Sequence, residues 1–169
     1  MAIWVANVSC SVFAHTNEQN SVAGWLLNGP YEETLHVETY NDLTGDQAQR
    51  HGQAVGLITA SLLGELLEHA NAPQCDVLNA LICGTNRRIK DAYEMEQPEG
   101  VWAEVHKLFQ ELKRRGKIEV MLGTYGPLLS VKEAVANERR RLDQGMMDGG
   151  GRNDRWKDPA QPDALVIDG

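Results

Sequence analysis

Cysteine, proline and aromatic residues are all scarce in this chain of 169 residues: three Cys, six Pro, and 6% Phe, Trp and Tyr together. Each scarcity excludes a class. Three cysteines (Cys10, Cys75 and Cys83) cannot staple a small secreted scaffold, and no C-x-x-C spacing offers a structural zinc site. An odd cysteine count points to reduced thiols. Few prolines, with 16 glycines spread along the chain, exclude collagen-like and low-complexity classes. No apolar run approaches the ~18 residues of a membrane helix. Met1 to Val5 carry no basic stretch, so neither a secretory signal nor a transit peptide is expected. The expected location is the cytoplasm or nucleus, with no membrane partner.

Positive charge is also scarce in the first half of the chain. Residues 1–86 hold nine acids and one base, Arg50. Residues 87–145 hold twelve bases and ten acids. The basic residues gather as Arg87-Arg88-Ile89-Lys90, Lys113-Arg114-Arg115-Gly116-Lys117 and Arg139-Arg140-Arg141. A net charge of −8 argues against strong non-specific nucleic-acid binding, whereas a local basic face can still hold phosphate. The plain alternative is a set of solvated helix ends.

Periodicity supplies the elements. Trp4, Ala6, Val8, Cys10, Val12 and Ala14 alternate as one buried face of a first strand, with Asn7, Ser9 and Ser11 opposite. Val22 to Leu27 reads as a second strand and the run Tyr31 to Tyr40 as a third, in which Leu35, Val37 and Thr39 alternate with His36, Glu38 and Tyr40. Tight turns join them into an antiparallel meander. Thr44 and Gln47 have capping-box spacing, and Val55, Ile58, Leu62 and Leu66 then recur as a helix stripe. Gly52, Gly56 and Gly64 in that helix are expected to mark close approach to the sheet. Val77 to Cys83 is almost continuously apolar and reads as a strand buried on both faces. A short helix follows over Arg87 to Tyr93. Val101 to Leu112 is a clean amphipathic helix, stopped by Gly116 as its C′ residue. Ile118, Val120 and Leu122 mark a fifth strand, and Leu128, Val131, Val135 and Leu142 a last helix ending near Gly145. The expected layout is a domain over residues 1–145 and a flexible Gly/Asp/Pro-rich tail over 146–169. Trp4, Trp25, Trp102, Phe109, Cys10 and Cys83 are expected in the core.

That order, three antiparallel strands and then strands joined through helices, resembles the ribonuclease H fold, an α/β class with a five-stranded mixed sheet flanked by helices. Val5-Ala6-Asn7-Val8-Ser9-Cys10 resembles the family's first strand, and Leu81 to Ile89 resembles its fourth strand running into a helix. The resemblance implies hydrolysis of a phosphodiester by two divalent metals. It places acids on the first strand, in the first helix and at the end of the fourth strand, with a further acid or His near the last helix. The positions matched here are Asn7, Gln49 or Gln53, Thr85 and Ala134, none of them acidic, so no catalytic residue, metal ligand or cofactor is assigned.

The reading drawn from this is a catalytically inactive ribonuclease H-like domain that binds protein or structured nucleic acid, such as RNA or an RNA–DNA hybrid. Its phosphate contacts would be Arg87, Arg88, Lys90, Lys113, Arg114 and Arg115. The alternative is a divergent Mg²⁺-dependent nuclease with relocated carboxylates, for example Glu38, Asp42, Asp46 and Asp76. A descent from a reverse-transcribing protein stays open. An exposed edge strand could also pair two copies as a homodimer. Five histidines show no metal-binding spacing.

Overall fold

The computed structural model describes residues 5–29, 32–71, 75–94, 99–123 and 126–150; Trp4 and residues 151–169 lie outside them. The described residues form β1 (Val5–Thr16), β2 (Ser21–Asn28), β3 (Glu33–Tyr40), α1 (Gln47–Ala70), β4 (Val77–Gly84), α2 (Arg87–Glu94), α3 (Val101–Lys113), β5 (Gly116–Leu122) and α4 (Gly126–Gly150). The sheet order is β3-β2-β1-β4-β5. β1, β2 and β3 pair antiparallel, while β4 joins β1 and β5 joins β4 in parallel. This is the mixed sheet that the element order implies.

One face of the sheet carries α1 and α3. Val8, Cys10, Val12 and Ala14 of β1 meet Ile58, Leu62, Leu63 and Leu66 of α1 and Trp102, Val105, Phe109 and Leu112 of α3. Full burial of each large apolar side chain contributes about 1.5–3 kcal/mol. α4 covers part of the other face, where Leu128, Val131 and Val135 pack on Phe13, Val22, Leu26 and Cys83. The C-terminal half of β1 is therefore buried on both faces, including Ser11 and Phe13, which alternation alone would leave outside. The N-terminal half keeps Asn7 exposed.

Partial cover by α4 explains two further departures. In β4, Val77, Asn79 and Leu81 are only half-buried, and both faces close over only toward Cys83 and Gly84. In β3, Val37 packs against the α4 cluster, whereas Leu35 is 49% exposed. Beyond α4 lies an open hollow of about 300 Å³ lined by Asn7, Ser9, Asn79, Leu81, Lys117 and Glu119.

Local signals shift slightly. The N-cap of α1 is Asp46, not Thr44. Its carboxylate accepts from Gln49 N at 2.8 Å, and Gln49 Oε1 accepts from Asp46 N at 2.8 Å. Asp46-x-x-Gln49 has the same spacing as Thr44-x-x-Gln47, and an Asp cap can close the same reciprocal box. Gly116 is the first residue of β5 and not a helix cap; α3 ends on Arg114. A Cβ on Gly116 would collide with the Leu78 backbone. α4 runs five residues past Gly145, because a glycine followed by Met146-Met147 weakens a helix without stopping it.

Candidate functional site

The C-terminal ends of β1 and β4, the first turns of α1, the start of α2 and the middle of α4 meet at one end of the sheet. The β1–β2 turn closes through Asn17, whose side-chain oxygen accepts from Gln19 N at 2.8 Å and Asn20 N at 3.0 Å. Such an Asx turn is an ordinary use of asparagine. It brings Thr16 opposite Ser21, with their hydroxyls 2.8 Å apart. Thr16 Oγ1 is also 3.1 Å from His51 Nδ1, and all three side chains are buried. Gln47 Nε2 donates to Thr16 O at 3.0 Å, and Arg50 Nη1 donates to Asn17 O at 3.0 Å. The first two turns of α1 are thus tied to the end of β1.

Arg139 reaches the same turn from α4. It is 2% exposed, and its guanidinium donates to His15 O at 3.1 Å, to Asn20 O at 3.3 Å and to Asn20 Oδ1. At the end of β4, Asn86 Oδ1 accepts from Arg88 N at 2.9 Å and caps α2. Arg88 lies over the Trp102 ring, 5.1 Å from its centroid, and against Gly52 of α1. The strand-end cluster therefore consists of hydroxyl, amide, imidazole and guanidinium groups.

Of the positions matched from the sequence, Gln49 and Gln53 sit in the first turns of α1 and Thr85 follows β4 at this end, whereas Asn7 lies away from them. Asn7 is exposed opposite Asn79 of β4, whose side-chain amide donates to it at 3.3 Å. From Asn79 to Thr85 is six residues, about 20 Å of strand. Asn7 and Thr85 thus occupy different ends of the sheet. Gln49 is engaged in the α1 cap, and Gln53 Nε2 donates to Thr44 O at 2.8 Å. Ala134 is half-buried on α4 beside Val135. Alternation identifies which face of β1 a residue occupies but not its place along the strand relative to β4; the parallel register supplies that.

The carboxylates of the alternative lie on separate segments, with Asp42 between β3 and α1. Glu38 lies on β3, its carboxylate 3.2 Å from His36 Nε2; Asp46 caps α1; Asp76 precedes β4 at the opposite end of the sheet from the β1–β2 turn. Among the described residues no group of three or more His, Cys, Asp or Glu side chains is placed to share a metal ion.

The six basic residues divide into two groups. Arg87, Arg88 and Lys90 begin α2 beyond the end of β4, where Arg87 Nε sits 3.6 Å from Asp91. Lys113, Arg114 and Arg115 end α3 near the start of β4, since Leu78 N donates to Arg115 O at 3.1 Å. Lys113 bridges toward α2: its ammonium donates to Tyr93 O at 2.8 Å and lies 4.0 Å from the Tyr93 ring centroid. Five of the six are exposed and Lys90 is half-buried. They lie on the first turn of α2 and at the C-terminal end of α3.

Some members of the cluster carried a sequence signal. His51 falls four residues before Val55 on the α1 stripe, and Arg139 four after Val135 on the α4 stripe. A polar residue on an apolar stripe is a buried polar group that needs partners. His15 and Thr16 had no such mark.

The fold class is α/β, a five-stranded mixed sheet between helices. No family model matches the sequence, and no curated protein does. Solved structures do match. Ribonuclease H1 of the halophilic archaeon Halobacterium salinarum aligns with a TM-score of 0.52 at 14% identity, covering 82% of this chain and 98% of that one. The N-terminal ribonuclease H domain of a Mycobacterium tuberculosis protein, solved as a fusion with maltose-binding protein, gives 0.53 at 6%, covering 75% and 94%. LC11 ribonuclease H1, isolated from compost, gives 0.54 at 10%, covering 85% and 99%. The chain has the ribonuclease H-like fold. No helix among the described residues is long and apolar enough to cross a membrane.

Proposed function

We propose that this domain is a ribonuclease H-like binding scaffold that does not hydrolyse phosphodiesters, and that its α2–α3 side meets the phosphates of a structured nucleic acid. The observation carrying this reading is the strand-end cluster. By resemblance, the fold gathers carboxylates around two dications from the first strand, the first helix and the end of the fourth strand. This chain offers Thr16, His51 and Asn86 there, with the buried guanidinium of Arg139 bound to the adjoining turn. Hard Mg²⁺ needs anionic oxygen, so this donor set does not fit it, and a fixed cation nearby opposes a second one.

The test pairs metal titration with binding. Calorimetry with Mg²⁺ and Mn²⁺ is expected to show no specific site, and an RNA–DNA hybrid is expected to stay intact. Salt-dependent binding of the same hybrid should weaken in Arg88→Ala and Arg114→Ala, each lowering the salt slope by about 1. Metal-dependent cleavage abolished by Asp42→Asn or Asp76→Asn would overturn the scaffold reading. An unchanged salt slope would leave the basic residues as solvated surface.

A further inference from the structure

We propose that β3 is a docking edge for an extended, positively charged peptide segment of a partner protein, which joins the sheet as a sixth strand. The sheet has two outer strands, and they are not equivalent. β5 is shielded: Tyr93 Oη of α2 donates to Ile118 O at 2.7 Å, and Lys117 and Glu119 pair at 2.9 Å along it. Among the described residues nothing pairs with the outward side of β3. It offers eight consecutive residues without proline, glycine, lysine or a break in its pairing to β2. A strand edge of this length presents a row of backbone donors and acceptors, the template for strand addition.

Charge and side chains select the occupant. From Glu18 to Asp46 the chain carries six carboxylates and no Lys or Arg. On the strand, Glu33 and Glu38 are exposed. Leu35 lies between them on the face that α4 leaves open, half-exposed and free to take an apolar side chain of the added strand. Such an edge attracts a basic strand with alternating apolar residues. It disfavours a second copy, because symmetric pairing of two β3 strands brings two acidic edges together. The inference does not depend on the α2–α3 side binding nucleic acid.

The probe is a fluorescent octapeptide of alternating Lys and Val, offered to the full chain at about 0.15 M salt. Two control peptides accompany it: the same sequence N-methylated at alternate residues on its pairing side, and one with Glu in place of Lys. Anisotropy should show binding of the Lys/Val peptide, and hydrogen exchange should slow at β3 amides. N-methylation should weaken binding by about tenfold or more, since it removes strand pairing and keeps the charge. Glu33→Lys with Glu38→Lys should weaken it comparably while unfolding stays unchanged. No binding at millimolar peptide, equal binding of the N-methylated peptide, or protection confined to other strands would overturn the proposal. So would a dimer, seen by sedimentation, that Leu35→Glu dissociates, because the edge would then belong to a second copy.

Discussion

Thr16 Oγ1 lies 3.1 Å from His51 Nδ1, joining the end of β1 to the second turn of α1 inside the molecule. Ser21 extends the chain of contacts with a hydroxyl 2.8 Å from that of Thr16. A buried hydroxyl pair and an imidazole bond to one another here, and removing one costs its neighbour a partner. His51→Ala is expected to cost about 2 kcal/mol in urea unfolding. In a double-mutant cycle with Thr16→Val the two losses should be less than additive, by about 1 kcal/mol. Full additivity would show that the two side chains do not act together.

Arg139 holds the β1–β2 turn against α4 through His15 O and both oxygens of Asn20. Arg139→Leu should cost about 3 kcal/mol, the scale of breaking a buried charged contact. Arg139→Lys should recover little, because an ammonium lacks the planar fork that spans several acceptors. Hydrogen exchange at Asn17 to Ser21 should rise in both variants. Wild-type exchange there would refute the clamp.

The three glycines of α1 separate by neighbour. A Cβ on Gly56 would come within 2.5 Å of Val101 Cγ1 and 3.1 Å of Trp102 Cε2, so the close approach is to α3 and not to the sheet. Gly52 faces Arg88, and Gly64 has nothing within 4 Å. Gly56→Ala should destabilise by about 1–3 kcal/mol through overpacking. Gly64→Ala should stabilise by up to about 1 kcal/mol through helix propensity. Thermal melts of the two variants should therefore move in opposite directions.

Cys10 and Cys83 are buried and Cys75 is half-buried. Burial pushes the Cys10 thiol up to about 12 and the Cys83 thiol up to about 11. An unfolded thiol ionises near 8.5. The folded chain thus keeps protons that the unfolded chain releases, and stability should fall as pH rises from about 9 toward 11. Cys10→Ala should flatten part of that fall. In a disulfide-exchange titration at neutral pH, Cys75 should react first, with the other two following only on unfolding. Three thiols reacting together in the native state would contradict this burial.

The order of strands and helices was legible in the sequence because each element carries its own period and turn signals. Alternation marked β1, the 3.6-residue stripes marked α1 and α3, and the core placement of Trp25, Trp102, Phe109, Cys10 and Cys83 followed. What local pattern cannot express is the alignment of one element along another. Whether Asn7 or Thr16 stands near the end of β4 depends on a parallel register between strands some seventy residues apart. The two basic groups, close in charge pattern, sit near opposite ends of β4 for the same reason. The exposure of Leu35 depends on how far α4 extends across the sheet. Element order follows from the chain alone, because periodicity acts within a few residues. Which side chains meet at the strand ends, and which edge stays open, emerges only on folding, because both depend on register and helix placement between distant segments.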